Sequence, residues 1–111
     1  MPATAQRDKP ITLGELLASL TAEELLGMRG PLNLTVHGQR LRRLRLLRGR
    51  TQTQAGALAG MGRARWSDLE RGARGTGAHP ATVYKLACGV LPDDASFEEI
   101  VATIPQFATL P

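Results

Sequence analysis

Residues 41–72 read LRRLRLLRGRTQTQAGALAGMGRARWSDLERG, and the fold turns on where this stretch breaks. Leu41, Leu44 and Leu47 recur at three-residue spacing and predict one apolar face on a helix running from Gly38 to Arg48. Gly49 is placed to stop it. Thr51 is an N-cap type of residue and predicts a second helix over 52–59. Gly60-Met61-Gly62 predicts a turn whose two glycines tolerate positive φ. A third helix follows over 63–71 and stops at Gly72.

Outward from this core the elements are shorter. Residues 73–80 read as a flexible loop. Pro80 suits the first position of a helix through Gly89, which turns Val83, Leu86, Ala87 and Val90 to the core. Ser96 and Glu99 form a capping box that opens a helix through Ile104, its apolar side built from Phe97, Ile100, Val101 and Ile104. The last seven residues, with Pro105 and Pro111, read as a tail. On the other side, residues 1–10 read as a disordered lead. Leu13, Leu16, Leu17 and Leu20 recur at helical spacing behind Thr12, and Thr21 with Glu24 is another capping box. Gly30-Pro31 ends that run, and Leu32, Leu34 and Val36 alternate with polar residues as a short extended segment. The expected class is all-α: five helices behind a short helical N-terminal extension. The expected division is a lead over 1–10, an extension over 11–36, a main domain over 37–92, and a C-terminal helix and tail over 93–111. Residues 11–36 serve either as a brace on the main domain or as a subunit contact.

Charge is segregated along the 111 residues. From Gly38 to Arg74 there are ten arginines against Asp68 and Glu70, a local balance of +8. Residues 1–37 carry −1 and residues 75–111 carry −3, within a whole-chain net charge of +4. Positive charge at this density suits a polyanion such as the nucleic-acid backbone. Arg42, Arg43 and Arg50 are accordingly expected in solvent or facing phosphate. The single cysteine, Cys88, lies in an apolar helical run and reads as a small buried hydrophobe in a reducing compartment. His37 and His79 are far apart and lack cysteine partners, which argues against zinc. No cofactor is expected. No apolar run approaches the ~20 residues needed to cross a bilayer, and no signal peptide is apparent. A soluble cytoplasmic protein is expected. No nucleophile–base constellation and no phosphate-binding glycine loop argue for an enzyme.

Two helices of similar short length joined by a three-residue glycine turn have the geometry of a helix-turn-helix, whose second helix can enter the DNA major groove. The helix over 52–59 is small-sided, with Ala55, Gly56, Ala57 and Ala59, which permits close approach of its neighbour. Residues 38–91 resemble the phage Cro/repressor-type (XRE-like) helix-turn-helix family. The residues that carry the resemblance are Leu41-Arg42-Arg43-Leu44-Arg45, Arg48-Gly49-Arg50-Thr51-Gln52, Gly60, and Trp66-Ser67-Asp68-Leu69-Glu70-Arg71-Gly72. The spacing from Thr51 to Gly72 fits without a gap.

The resemblance implies a partly buried ion pair between Arg45 and Glu70, structural rather than base-reading. It implies that Gln52 anchors a phosphate at the start of its helix, assisted by Thr51 and Thr53. Groove-facing positions are then Gly62, Arg63, Ala64, Arg65 and Ser67. Arg63 is the leading base reader, because arginine can donate two hydrogen bonds to guanine O6 and N7. Ser67 can reach a base or phosphate, Ala64 a thymine methyl, and Arg65 a base or the backbone. Arg74 and His79 are candidate phosphate contacts. Trp66 stands where the family keeps an aliphatic core residue and reads as core, with stacking on a base or partner as its rival role. Asp68 reads as a helix-face charge or a local arginine partner. The chain departs from the family at Ala55-Gly56, where the family has Leu-Ala, and at Arg50, where it has an aliphatic residue. Leu58 is expected to refill the gap.

The function implied is a sequence-specific DNA-binding transcriptional regulator, a repressor or autoregulator. Its partners would be double-stranded DNA and a second copy of the chain, because a helix this short reads few base pairs. The alternative is an antitoxin or phage regulator acting mainly through protein–protein contact, with the N-terminal extension as the contact surface.

Overall fold

In a computed structural model, residues 33–72 and 77–110 are described, together with Leu17, Ser19, Thr21, Glu23 and Glu24. The expected lead over 1–10, most of the leucine stripe before Thr21, and Arg74 lie outside the described residues. Among the described residues from Asn33 onward, five helices follow one another: α1 (Gly38–Leu47), α2 (Gln52–Leu58), α3 (Arg63–Arg71), α4 (Pro80–Gly89) and α5 (Phe97–Thr103). A single turn of 3₁₀ helix, Ile104–Gln106, continues α5.

The molecule is mostly helical but not strictly all-α. β1 (Leu34–Val36) lies in the middle of a small antiparallel sheet, between β2 (Gly77–Ala78) and β3 (Ala108–Thr109). Leu34 faces Ala78 and Thr35 faces Gly77 on one side; Thr35 faces Thr109 and Val36 faces Ala108 on the other. Two-residue strands are too short to show an alternating pattern, so residues 77–78 read as loop and 108–109 as tail. The C-terminal stretch is not a free tail. Phe107 and Ala108 are fully buried, and the Phe107 carbonyl accepts from His37 N–H at 2.7 Å. The His37 imidazole Nε2 pairs with the Thr109 hydroxyl at 3.0 Å.

The helices pack as their apolar spacing directs, with one correction. Leu41 is buried, Leu44 is half-buried, and Leu47 is 79% exposed. A three-residue step falls short of a full helical turn, so each one drifts about 60° around the helix. By Leu47 the side chain has left the core, while Arg45, four residues from Leu41, has entered it. On α4, Val83, Leu86 and Ala87 are buried, as is Val90 at its C-cap. Thr21 and Glu24 exchange capping hydrogen bonds at 3.0 and 3.1 Å. Leu17 joins the main core at 1% exposure. Among the described residues no helix is long and apolar enough to cross a membrane.

Candidate nucleic-acid interface

α2 is opened by a full capping box. The Thr51 hydroxyl accepts from Gln54 N–H at 3.1 Å, and Gln54 Oε1 accepts from Thr51 N–H at 2.9 Å. The turn after α2 depends on small residues. Gly60 takes φ +71°, whereas Gly62 has an ordinary extended φ and caps α3, so only one of the two glycines needs left-handed backbone. A Cβ on Gly56 would stand 3.0 Å from the Met61 carbonyl and 3.2 Å from that of Gly62. The Gly56 carbonyl accepts from Met61 N–H at 2.8 Å, tying the turn against the helix it leaves.

This turn presents α3 with two unlike faces. Arg63, Ala64 and Arg65 are exposed at its leading end, and Ser67 is half-buried one turn on. Trp66, Leu69 and Glu70 form the buried rear face. Arg71 donates to Asp68 at 2.7 Å, which makes Asp68 a local partner. Thr53 is exposed beside the half-buried Gln52 on α2.

The rear face centres on Glu70. Its Oε2 accepts from Arg45 Nε at 2.6 Å and from the Trp66 indole N–H. Its Oε1 accepts from Arg45 Nη2 and from Gln52 Nε2, both at 3.1 Å. Arg45 Nη1 donates further to the Arg50 carbonyl at 2.8 Å. Burial alone would raise the Glu70 pKa, but hydrogen bonds from Arg45, Trp66 and Gln52 and the guanidinium charge hold it below its ordinary value. One carboxylate thus joins α1, α2 and α3. The Arg45–Glu70 geometry is the bidentate pair that the resemblance implies. The contacts from Trp66 and Gln52 were not anticipated, although Trp66 and Glu70 stand four apart, the spacing at which helical side chains meet.

Trp66 is fully buried. Its ring lies against the backbone of Gly89. A Cβ on Gly89 would stand 2.6 Å from the indole ring and 2.8 Å from the Ala55 carbonyl. The large side chain on α3 is therefore accommodated by the missing side chain of Gly89 on α4. Leu58 does not refill the gap expected at Ala55-Gly56, being 41% exposed. Arg50 is also corrected. It is not in solvent: Nη1 donates to the Gly89 carbonyl at 2.9 Å and Nη2 approaches Asp93 at 3.4 Å. The last carbonyls of a helix lack partners within it, and Arg50 supplies one to α4.

His79 caps α4, its Nδ1 accepting from Ala81 N–H at 3.2 Å. Burial pushes the Cys88 thiol pKa up, which disfavours the reactive thiolate.

A family profile described as a helix-turn-helix domain matches residues 38–94, just over half of the chain. Comparison with curated proteins and with solved structures gave no match. The profile covers α1 to α4, the turn before α3 and the buried hub behind it, consistent with the Cro/repressor-type resemblance. On this match and this geometry, the chain belongs to the helix-turn-helix domain family.

Proposed function

We propose that this protein is a sequence-specific DNA-binding transcriptional regulator, a repressor or autoregulator, that lays α3 in the major groove. The observation carrying this reading is the two-sidedness of α3: Arg63, Ala64 and Arg65 are exposed at its leading end while Trp66, Leu69 and Glu70 are buried behind. Arg63 reads a base, with Ala64, Arg65 and Ser67 beside it. Thr51, Gln52, Thr53, Arg74 and His79 contact backbone phosphate. Phosphate pairing supplies affinity and α3 supplies sequence choice. A helix of this length reads few base pairs, so two copies act on a two-fold site with half-sites about 34 Å apart. Such a protein works in the cytoplasm, beside the DNA.

The test compares Arg63→Ala and Gln52→Ala on a selected duplex and on mixed-sequence DNA. Arg63→Ala weakens the selected site by about 1–3 kcal/mol and leaves mixed DNA much less affected. Gln52→Ala weakens both alike. Equal loss on both duplexes for Arg63→Ala would remove its base-reading role.

A further inference from the structure

The four hydrogen bonds at Glu70 leave its carboxylate no spare acceptor position. A carboxylate offers about four lone-pair sites, two on each oxygen. Arg45 takes one on each oxygen, the Trp66 indole takes the second on Oε2, and Gln52 Nε2 takes the second on Oε1. Two consequences follow for Gln52. An ionised carboxylate only accepts, so the Gln52 amide must turn its nitrogen inward and cannot present its own oxygen there. With Oε2 filled by Trp66, the amide also has a single oxygen to bind. One N–H of Gln52 is then committed to Glu70, and the second remains available to an outside acceptor. Gln52 is half-buried and keeps a path to solvent, whereas Trp66 and Glu70 are buried.

Resting on the DNA-binding reading above, we infer that Glu70 and Trp66 are positioning residues for DNA-backbone contact. They hold the Gln52 carboxamide with one N–H aimed outward at a phosphate oxygen, and Trp66 sets affinity without touching DNA. Trp66 is the chain's single tryptophan, and its N–H is the contact that an aliphatic residue at this position could not make. The phosphate oxygen carries negative charge, which strengthens a hydrogen bond from an oriented amide. Since phosphate carries no sequence information, the effect is the same on any duplex.

The experiment is a double-variant cycle with a short, fluorescently labelled mixed-sequence DNA duplex as the probe. Trp66→Phe removes the indole N–H and keeps an aromatic ring. In the wild-type background it weakens binding about three- to tenfold, the worth of one hydrogen bond. In a Gln52→Ala background it weakens binding no further. Melting temperatures of all four proteins provide the structural control: Trp66→Phe lowers them in both backgrounds, so stability and affinity separate. Equal weakening in both backgrounds, or none in either, overturns the inference. A second measurement covers a Trp66→Phe protein that fails to fold. In the NMR spectrum of the wild-type protein, one Gln52 side-chain N–H lies downfield and exchanges slowly, and the other shifts on adding duplex. Two protons at the positions of a free carboxamide overturn the inference. Wild-type protein that binds no duplex sinks the DNA-binding reading itself; binding with an additive cycle sinks this inference alone.

Discussion

Replacing Glu70 with glutamine preserves shape and removes the charge on which three helices converge. Arg45 stays behind at 7% exposure, its Nε 2.6 Å from an atom that is now neutral. Only one oxygen remains, and an NH₂ group faces two of the four former donors. Breaking a buried pair by removing one partner costs about 3–5 kcal/mol. A domain of this size has a total stability of about 5–15 kcal/mol, so the loss is a large fraction of the whole. At about 4–8 °C per kcal/mol, Glu70→Gln lowers the melting temperature by more than about 12 °C. Thermal melts followed by Trp66 emission measure the shift and urea titration the free-energy loss, since the indole leaves the core on unfolding. A companion variant, Arg45→Met with Glu70→Leu, deletes both charges and recovers part of the loss. Recovery is incomplete, because Gln52, Trp66 and the Arg50 carbonyl lose their partners. A cost below about 1 kcal/mol for Glu70→Gln would refute the hub, as would a double variant no more stable than the single.

Three further outcomes are expected. Because the folded Glu70 pKa lies below its ordinary 4.5, its stabilising contribution is complete above that value and drains away as pH falls through the folded one. Melting temperatures recorded down through the carboxylate range should therefore fall more steeply in wild type than in the Arg45→Met/Glu70→Leu variant; parallel profiles would contradict this. Gly89→Ala drives a methyl into the indole and the Ala55 carbonyl and costs about 1–3 kcal/mol, despite alanine's better helix propensity; a stabilised protein in thermal melts would show the contact to be soft. Leu47→Lys leaves stability within about 0.5 kcal/mol, while Leu41→Ala costs about 2–5 kcal/mol. Comparable losses in urea unfolding would mean that α1 sits with a different face inward.

The helices and their stops were legible along the chain because caps, glycine breaks and 3.6-residue periodicity act over a few residues. α3 and α4 begin and end where local sequence directs, and the N-cap at Thr51 and the capping box at Ser96 open their helices as read. The family resemblance was legible for the same reason, since its residues occupy one ungapped stretch. What local signals cannot convey is which distant groups meet. β2 and β3 exist only because β1 supplies their hydrogen-bond partners, and strands of two residues carry no pattern of their own. Arg50 looked like one more surface cation until α4 placed its terminal carbonyl within reach.

Local order, basic charge on one segment and the turn before Arg63 were thus determined by the chain's own sequence, because each depends on near neighbours. Tertiary structure decided the rest: Trp66 fits because Gly89 leaves room for it, and Glu70 stays ionised because donors from three helices converge on it. Burial and hydrogen-bond satisfaction are properties of an assembled interior, where groups remote along the chain must complete one another.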